Sequence, residues 1–196
     1  MKHAPQTETR MARSPFTIVF AAIGIFIVVV LAAAAIIAAL GIFNPAADAA
    51  ENALAHSIIA YVRERGIDAR SKNIEVPPLG NSEMISEGAS HYDAMCTGCH
   101  LAPGMSDNEM RPGMNPRPPR LANRKEINPA EDFWIIKHGI RMTAMPAWGK
   151  THSDQEIWNM VAFLRRLPKL SPEQYRAIVA VAGQHEMDHM NMGGHD

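Results

Sequence analysis

The sequence predicts an all-α protein in two parts, a single N-terminal helix that crosses a membrane and a small helical domain beyond it. Three observations carry that prediction. Residues 16–43 form an almost unbroken apolar run. Several later segments place apolar residues at helical spacing between cap signals. No segment alternates apolar and polar residues as a half-buried strand does. The 196 residues are 47% apolar and 20% charged, with a formal net charge of −1, values that suit one modest globular domain.

The first element is Phe16 to Phe43, FTIVFAAIGIFIVVVLAAAAIIAALGIF, longer than the ~20 residues a helix needs to span the hydrocarbon. A secretory signal is the alternative, because Ala47-Asp48-Ala49 offers a small-x-small cleavage site. Signal h-regions, however, run only about 7–15 residues, so an uncleaved anchor is expected. Lys2, Arg10 and Arg13 precede the helix, while Asp48 and Glu51 follow it. Positive-inside logic then leaves residues 1–15 in the cytoplasm and exports the rest. The expected location is the inner (cytoplasmic) membrane, single-pass, with the folded domain in the periplasm.

Residues 44–80 come next as a periplasmic helix and connector. Leu54, Ile58, Tyr61 and Val62 stand near helical spacing and Gly66 sits where a C-terminal cap would. The double proline of VPPLG then forbids regular helix, and a domain boundary is expected near Leu79. The main domain is placed at 81–182. Its first helix carries Ile85, Gly88, Ala89, Tyr92 and Cys96 on one face, with Ser82 as N-cap. Residues 101–125 are a loop by their proline content. A helix over 129–140 opens with Pro129, has Glu131 and Asp132 in its first turn, and closes at Gly139. A second starts at a capping box, Ser153 and Glu156, carries Ile157, Met160, Val161 and Leu164, and runs until Pro168. A short helix from Ser171 completes the domain, and residues 183–196 are assigned to a disordered His/Met-rich tail.

Both cysteines of the chain lie in Ala94-Met-Cys-Thr-Gly-Cys-His-Leu101. A C-x-x-C-H run has three physical readings. A dithiol switch needs a thioredoxin-like βαβ surround, which a helical sequence does not supply. Zinc wants four protein donors in a closed structural site, and here there are three. Haem attachment uses every residue: two thiols add to two vinyl groups, and the adjacent His100 turns its imidazole to the iron. A second constellation, Gly139-Ile-Arg-Met-Thr-Ala-Met-Pro-Ala-Trp-Gly149, supplies a soft, uncharged thioether for the iron's other side. Met145 is the candidate because Pro146 stiffens the loop behind it; Met142 is the alternative.

With CTGCH, MPAWG and the WNMVAFLRRLP helix in view, residues from about Asn81 to Leu170 resemble the class I c-type cytochromes, in particular membrane-anchored mono-haem bacterial members. The resemblance implies one covalent haem c held by Cys96, Cys99, His100 and Met145. It implies that Gly88 and Tyr92, at four-residue steps before Cys96, meet the C-terminal helix on the face that carries Phe163. It also implies that Pro119-Arg-Leu121 is the family's Pro-x-Leu, whose proline carbonyl accepts the ligand histidine's hydrogen bond, and that Trp148 completes the methionine loop. Residues 101–118 match no pattern of the family. Leu121, Trp134, Ile135, Trp148, Val161 and Leu164 are the apolar residues expected near the ring, with Trp158 assigned to ordinary core packing.

The function implied is outer-sphere transfer of single electrons, not enzymatic turnover. No nucleic acid and no small-molecule substrate are expected. The partners are the membrane, through the N-terminal helix, and redox proteins: a quinol-oxidising complex or dehydrogenase on one side, an oxidase or reductase on the other. A fixed cytochrome subunit of such a complex is the second reading. Arg111, Arg117, Arg120, Arg124 and Lys125, with Lys137, Arg141 and Lys150 flanking the methionine loop, form a basic ring suited to steering an acidic partner. A third reading rests on the tail, whose His185, Met187, His189, Met190, Met192 and His195 are candidate copper donors, thioether and imidazole being suited to that metal. It would make the chain a copper-handling or copper-sensing protein.

Overall fold

The computed structural model describes residues 15–42, 44–49 and 52–192, with backbone alone for 184–192. All regular structure among the described residues is helical. The chain divides into two compact units, residues 1–49 and 50–196.

The first unit contains α1, Pro15–Ala39, which has no charged residue and buries none of its side chains. Its length, ~37 Å at 1.5 Å per residue, exceeds the ~30 Å of a bilayer core, so α1 is long and apolar enough to cross a membrane. The helix stops short of the expected Phe43, giving way to a turn at Leu40 and Gly41.

The second unit starts well before the boundary expected near Leu79. Helix α2, Ala53–Ser71, is N-capped by Asn52, whose side chain accepts from the Leu54 and Ala55 amides. It runs through Gly66, where an end was expected, to Ser71. Glycine inside a helix costs about 1 kcal/mol, and packing of α2 on a later helix, with Ile67 and Ser71 buried, offsets it. Leu79 is itself a core residue, only 6% exposed. The connector is thus part of the packed unit, because its last apolar residue is buried in it.

The centre of the unit is a crossing of two helices. Helix α3, Ser82–Met95, is capped by Asn81, one residue before the expected Ser82. It is followed by the single-turn helix α4, Thr97–His100, and later by α5, Pro129–His138, capped by Asn128 with Pro129 at its first position. Helix α6, Asp154–Leu164, begins at the capping box, Ser153 and Glu156. It ends earlier than expected, with Pro168 falling in a short 3-10 turn, Leu167–Lys169. A Cβ on Gly88 of α3 would overlap the Asn159 carbonyl of α6 and come within 2.9 Å of Phe163 Cβ. Hydrogen in place of a side chain is what lets the two backbones meet. Ala89, Tyr92, Ile157, Val161 and Phe163 are buried around that contact, with the Tyr92 and Phe163 rings 5.4 Å apart.

Helix α7, Pro172–Met192, closes the unit. Its Tyr175 lies 6.4 Å edge-on from Tyr92 and donates to Asp93 Oδ1 at 2.7 Å. The helical backbone continues through residues 183–192, where the sequence was assigned to a disordered tail; Gly183 does not end it. On the other side Phe133 of α5 stacks on Trp158 of α6 at 4.1 Å, so Trp158 is packing.

Gly88→Ala is expected to destabilise the domain by roughly 3 kcal/mol, an overpacking penalty, read from the shift in the urea midpoint at unchanged slope.

Candidate functional site

Helix α3 carries the chain to Cys96, which accepts the helix's end through a bond from its amide to the Tyr92 carbonyl. The next turn, α4, is too short to hold itself. A helix end leaves its last carbonyls without intrahelical partners, and here side chains supply them. Asn108 Nδ2 donates to the Gly98 carbonyl at 2.7 Å, Arg111 Nη1 to that of Cys99, and the buried Tyr92 hydroxyl to that of Leu101 at 2.6 Å. Leu101 takes φ +63°, turning the chain out of the helix. Cys96 and Cys99 are not joined in a disulfide. Burial, with the neighbouring Cys99 adding, pushes the Cys96 thiol up to about 12. A dithiol switch needs a depressed thiol pKa, so the environment of Cys96 is the opposite of what that reading requires.

His100 closes the turn. Its Nδ1 lies 2.8 Å from the Pro119 carbonyl, 19 residues away. A carbonyl only accepts, so Nδ1 carries the hydrogen and Nε2 keeps its lone pair. Burial holds the imidazole pKa below its ordinary value, opposed by the Pro119 bond and assisted by the Arg111 and Arg124 charges. A neutral ring with one nitrogen committed and the other available is the state a metal requires.

The methionine loop is anchored on α5. Gly139 ends that helix with φ +65°, and a Cβ there would strike the Met145 carbonyl at 2.7 Å and Ala147 N at 2.8 Å. The Ile140 amide donates to the Met145 carbonyl at 3.2 Å, and the Met145 amide to Thr143 Oγ1 at 3.1 Å. Met145 and Trp148 are partly buried against the core cluster, as is Leu121. Met142, in contrast, has φ +60° and is 88% exposed, so it points away from any enclosed site. Of the apolar residues expected near a ring, Val161 and Leu164 are buried in the core. Trp134 lines a groove with Ile58, Ile59, Val62 and Ile67 of α2.

The expected basic ring is largely tied down. Arg111 is 2% exposed, and its Nε meets Asp107 Oδ1 at 2.8 Å. Arg117 and Arg120 pair with the same carboxylate. Arg124 pairs with Asp132 at 2.7 Å, and Lys137 with Asp154 at 2.6 Å. Arg111 is therefore not part of a steering surface at all; Arg117 and Arg120 stay exposed although paired, and Lys125, Arg141 and Lys150 are exposed too. Sequence reasoning missed this role because an arginine in a proline-rich loop reads as solvated charge. The one cue was Asp107 four residues earlier.

Residues 83–164, from the start of α3 to the last residue of α6, match the family described as Cytochrome C oxidase, cbb3-type, subunit III. This segment is a c-type cytochrome domain. No curated protein matches the chain. The cytochrome domain is a haem-based electron-transfer module, and as such works with redox partners. The donor set fits a covalently attached haem: two thiols on one turn, a neutral imidazole with its outer nitrogen uncommitted, and a half-buried thioether from a second loop. The candidate copper donors near the C-terminus lie outside the described side chains, His195 outside the described backbone as well. Among the described residues no cluster of three His, Cys, Asp or Glu is placed to hold a metal.

One buried carboxylate stands beside this machinery. Asp132 is 4% exposed, and its Oδ2 has no hydrogen-bond partner among the described residues. Burial raises its pKa, opposed by the Arg124 charge and hydrogen bond. An acid whose folded pKa lies above its unfolded value of about 3.9 contributes stability that is complete below that value and lost as pH rises through the folded pKa. Wild type is therefore expected to lose stability relative to Asp132→Asn between pH 4 and pH 7. Urea denaturation of both proteins at the two pH values checks it; a gap that stays constant contradicts the assignment.

Proposed function

We propose that the chain is a membrane-tethered, mono-haem electron carrier working on the periplasmic side of the inner membrane. In this reading Cys96 and Cys99 would hold the haem covalently, and His100 and Met145 would be its protein ligands. The observation that carries it is the His100 hydrogen bond to Pro119 at the end of the cysteine turn, which commits one ring nitrogen and leaves the other available. Haem c bound there supplies a reversible one-electron couple.

The chain's own residues do the rest. Cys96 and Cys99 prevent loss of the group. His100 and Met145 would both be occupied as ligands of the bound haem, and a group so held would supply outer-sphere electron transfer and not small-molecule binding. Pro119 sets the tautomer and orientation of His100. Gly139 lets the Met145 loop close against α5, so that the thioether is presented by a braced loop. Leu121 and Trp148, partly buried against the core, would contribute an apolar wall. The apolar helix α1 retains the domain at the membrane and so shortens its search for a partner; its length supports an anchor over a cleaved signal.

A second reading is a fixed subunit of an oxidase, favoured by the matched family, whose members are described as subunit III of such a complex. Co-purification with other chains through detergent separates the two. The carrier reading predicts a single chain after mild extraction, and the subunit reading a stable complex.

Full-length protein is expected to stain for covalent haem on a denaturing gel, and Cys96→Ala/Cys99→Ala is expected to lose the stain. Met145→Ala is expected to lose the weak near-infrared sulfur-to-iron band, whereas Met142→Ala keeps it. Retention of the band in Met145→Ala overturns the ligand assignment.

A further inference from the structure

Neither partner of the His100–Pro119 hydrogen bond sits on an element that can hold it. His100 ends a four-residue helix, and Pro119 lies in irregular chain, one residue ahead of the Arg120 that precedes the short turn Leu121–Asn123. Most of the segment between them is irregular. Yet one side chain reaches both. Arg111, 2% exposed, donates from Nη1 to the Cys99 carbonyl and from Nη2 to the Pro118 carbonyl at 2.9 Å. Cys99 is the residue before His100, and Pro118 is the residue before Pro119. A single planar guanidinium therefore spans the two peptide units that lead into the two hydrogen-bonding partners.

The rest of the group is braced from behind. Arg111 Nε meets Asp107 Oδ1 at 2.8 Å, and Asp107 is held in turn by Arg117 and by Arg120 at 3.2 Å. Burying a cation is costly unless it is paired and hydrogen-bonded, and here it has a carboxylate and two carbonyls. The hydrogen bonds of its guanidinium go to that brace or to backbone beside the ligand contact. A solvated surface arginine has neither property. The rigid fork is essential to the geometry, because a lysine ammonium is a point charge on a flexible stem and does not span two fixed carbonyls in one plane.

We propose that Arg111 is a positioning residue for His100, setting the distance and angle of its hydrogen bond to the Pro119 carbonyl. The inference rests on the reading of His100 as the haem's histidine ligand. A strong bond at Nδ1 raises the basicity of the ring's other nitrogen, and second-shell hydrogen bonding is one of the levers on a haem's potential. A more basic ligand favours ferric iron, so a loosened His100–Pro119 bond favours the ferrous state. Loss of a nearby positive charge acts in the opposite sense. The two roles that a buried arginine can play here thus separate by the direction of the change.

The test uses the full-length holoprotein in detergent as wild type, Arg111→Lys and Asp107→Asn. Solvent exchange of the His100 Nδ1–H is followed by NMR in the reduced, diamagnetic state, and the potential by redox titration. Arg111→Lys keeps the charge and loses the fork. It is expected to speed exchange at least tenfold and to shift the equilibrium towards ferrous at least threefold, about 28 mV at 59 mV per tenfold for one electron. In Asp107→Asn the brace is lost and the fork remains, so exchange is expected to quicken by a smaller factor. Exchange is the deciding readout for that variant, because removing a carboxylate moves the potential by itself. Wild-type exchange and potential in Arg111→Lys overturn the inference. Should Arg111→Lys fail to yield holoprotein, wild-type exchange in Asp107→Asn overturns it. Absence of covalent haem from the wild type removes the underlying reading and the inference together, whereas haem present with unmoved exchange removes the inference alone.

Discussion

The hydrogen bond between His100 Nδ1 and the Pro119 carbonyl joins two pieces of chain that helix packing leaves unconnected. Helices hold side chains well, but the cysteine turn has only four helical residues, and the acceptor lies in irregular structure. The surrounding contacts all serve that junction. Tyr92 reaches from α3 to the Leu101 carbonyl, Asn108 to Gly98, and Arg111 to Cys99 and Pro118 at once. Side-chain donors here do what a longer helix would do with its own backbone, and they leave the histidine's outer nitrogen uncommitted.

That junction stands on the α3–α6 crossing. Because Gly88 admits the Asn159 carbonyl, Tyr92 one turn later is brought against Phe163 and its hydroxyl lands on Leu101. Backbone contact, aromatic packing and a capped carbonyl thus form one continuous path from the core to the site. The methionine loop has an equivalent support on α5, where Gly139 admits the backbone of residues 145–147. Each loop that carries a candidate ligand is therefore tied to a helix through a position where a side chain does not fit.

Local signals wrote much of this into the sequence. Asn128 and Pro129 at the start of α5, Ser153 and Glu156 at the start of α6, and the apolar spacing within each helix act over one or two turns, so their effect is readable without tertiary context. The failures have a common cause. Gly66 reads as a helix end, and Leu79 as the edge of a domain, until burial of Ile67 and Leu79 outweighs the local preference. Arg111 reads as surface charge until Asp107 and two distant carbonyls surround it. Met142 and Met145 are equivalent thioethers on paper; backbone conformation turns one into solvent and packs the other.

What the sequence determined by itself is the chemistry and its order along the chain: an apolar span first, then two thiols and an imidazole on one turn, then a thioether on a proline-stiffened loop. Residue type and short spacing are enough for that, since donor softness, helix length and capping are local properties. Only the tertiary structure decided which groups meet. It paired His100 with Pro119, buried a cation against the neighbouring Cys99 and Pro118 carbonyls, and gathered three arginines on Asp107. Such contacts form across irregular chain, and their free energy depends on burial and on competing partners, neither of which spacing encodes.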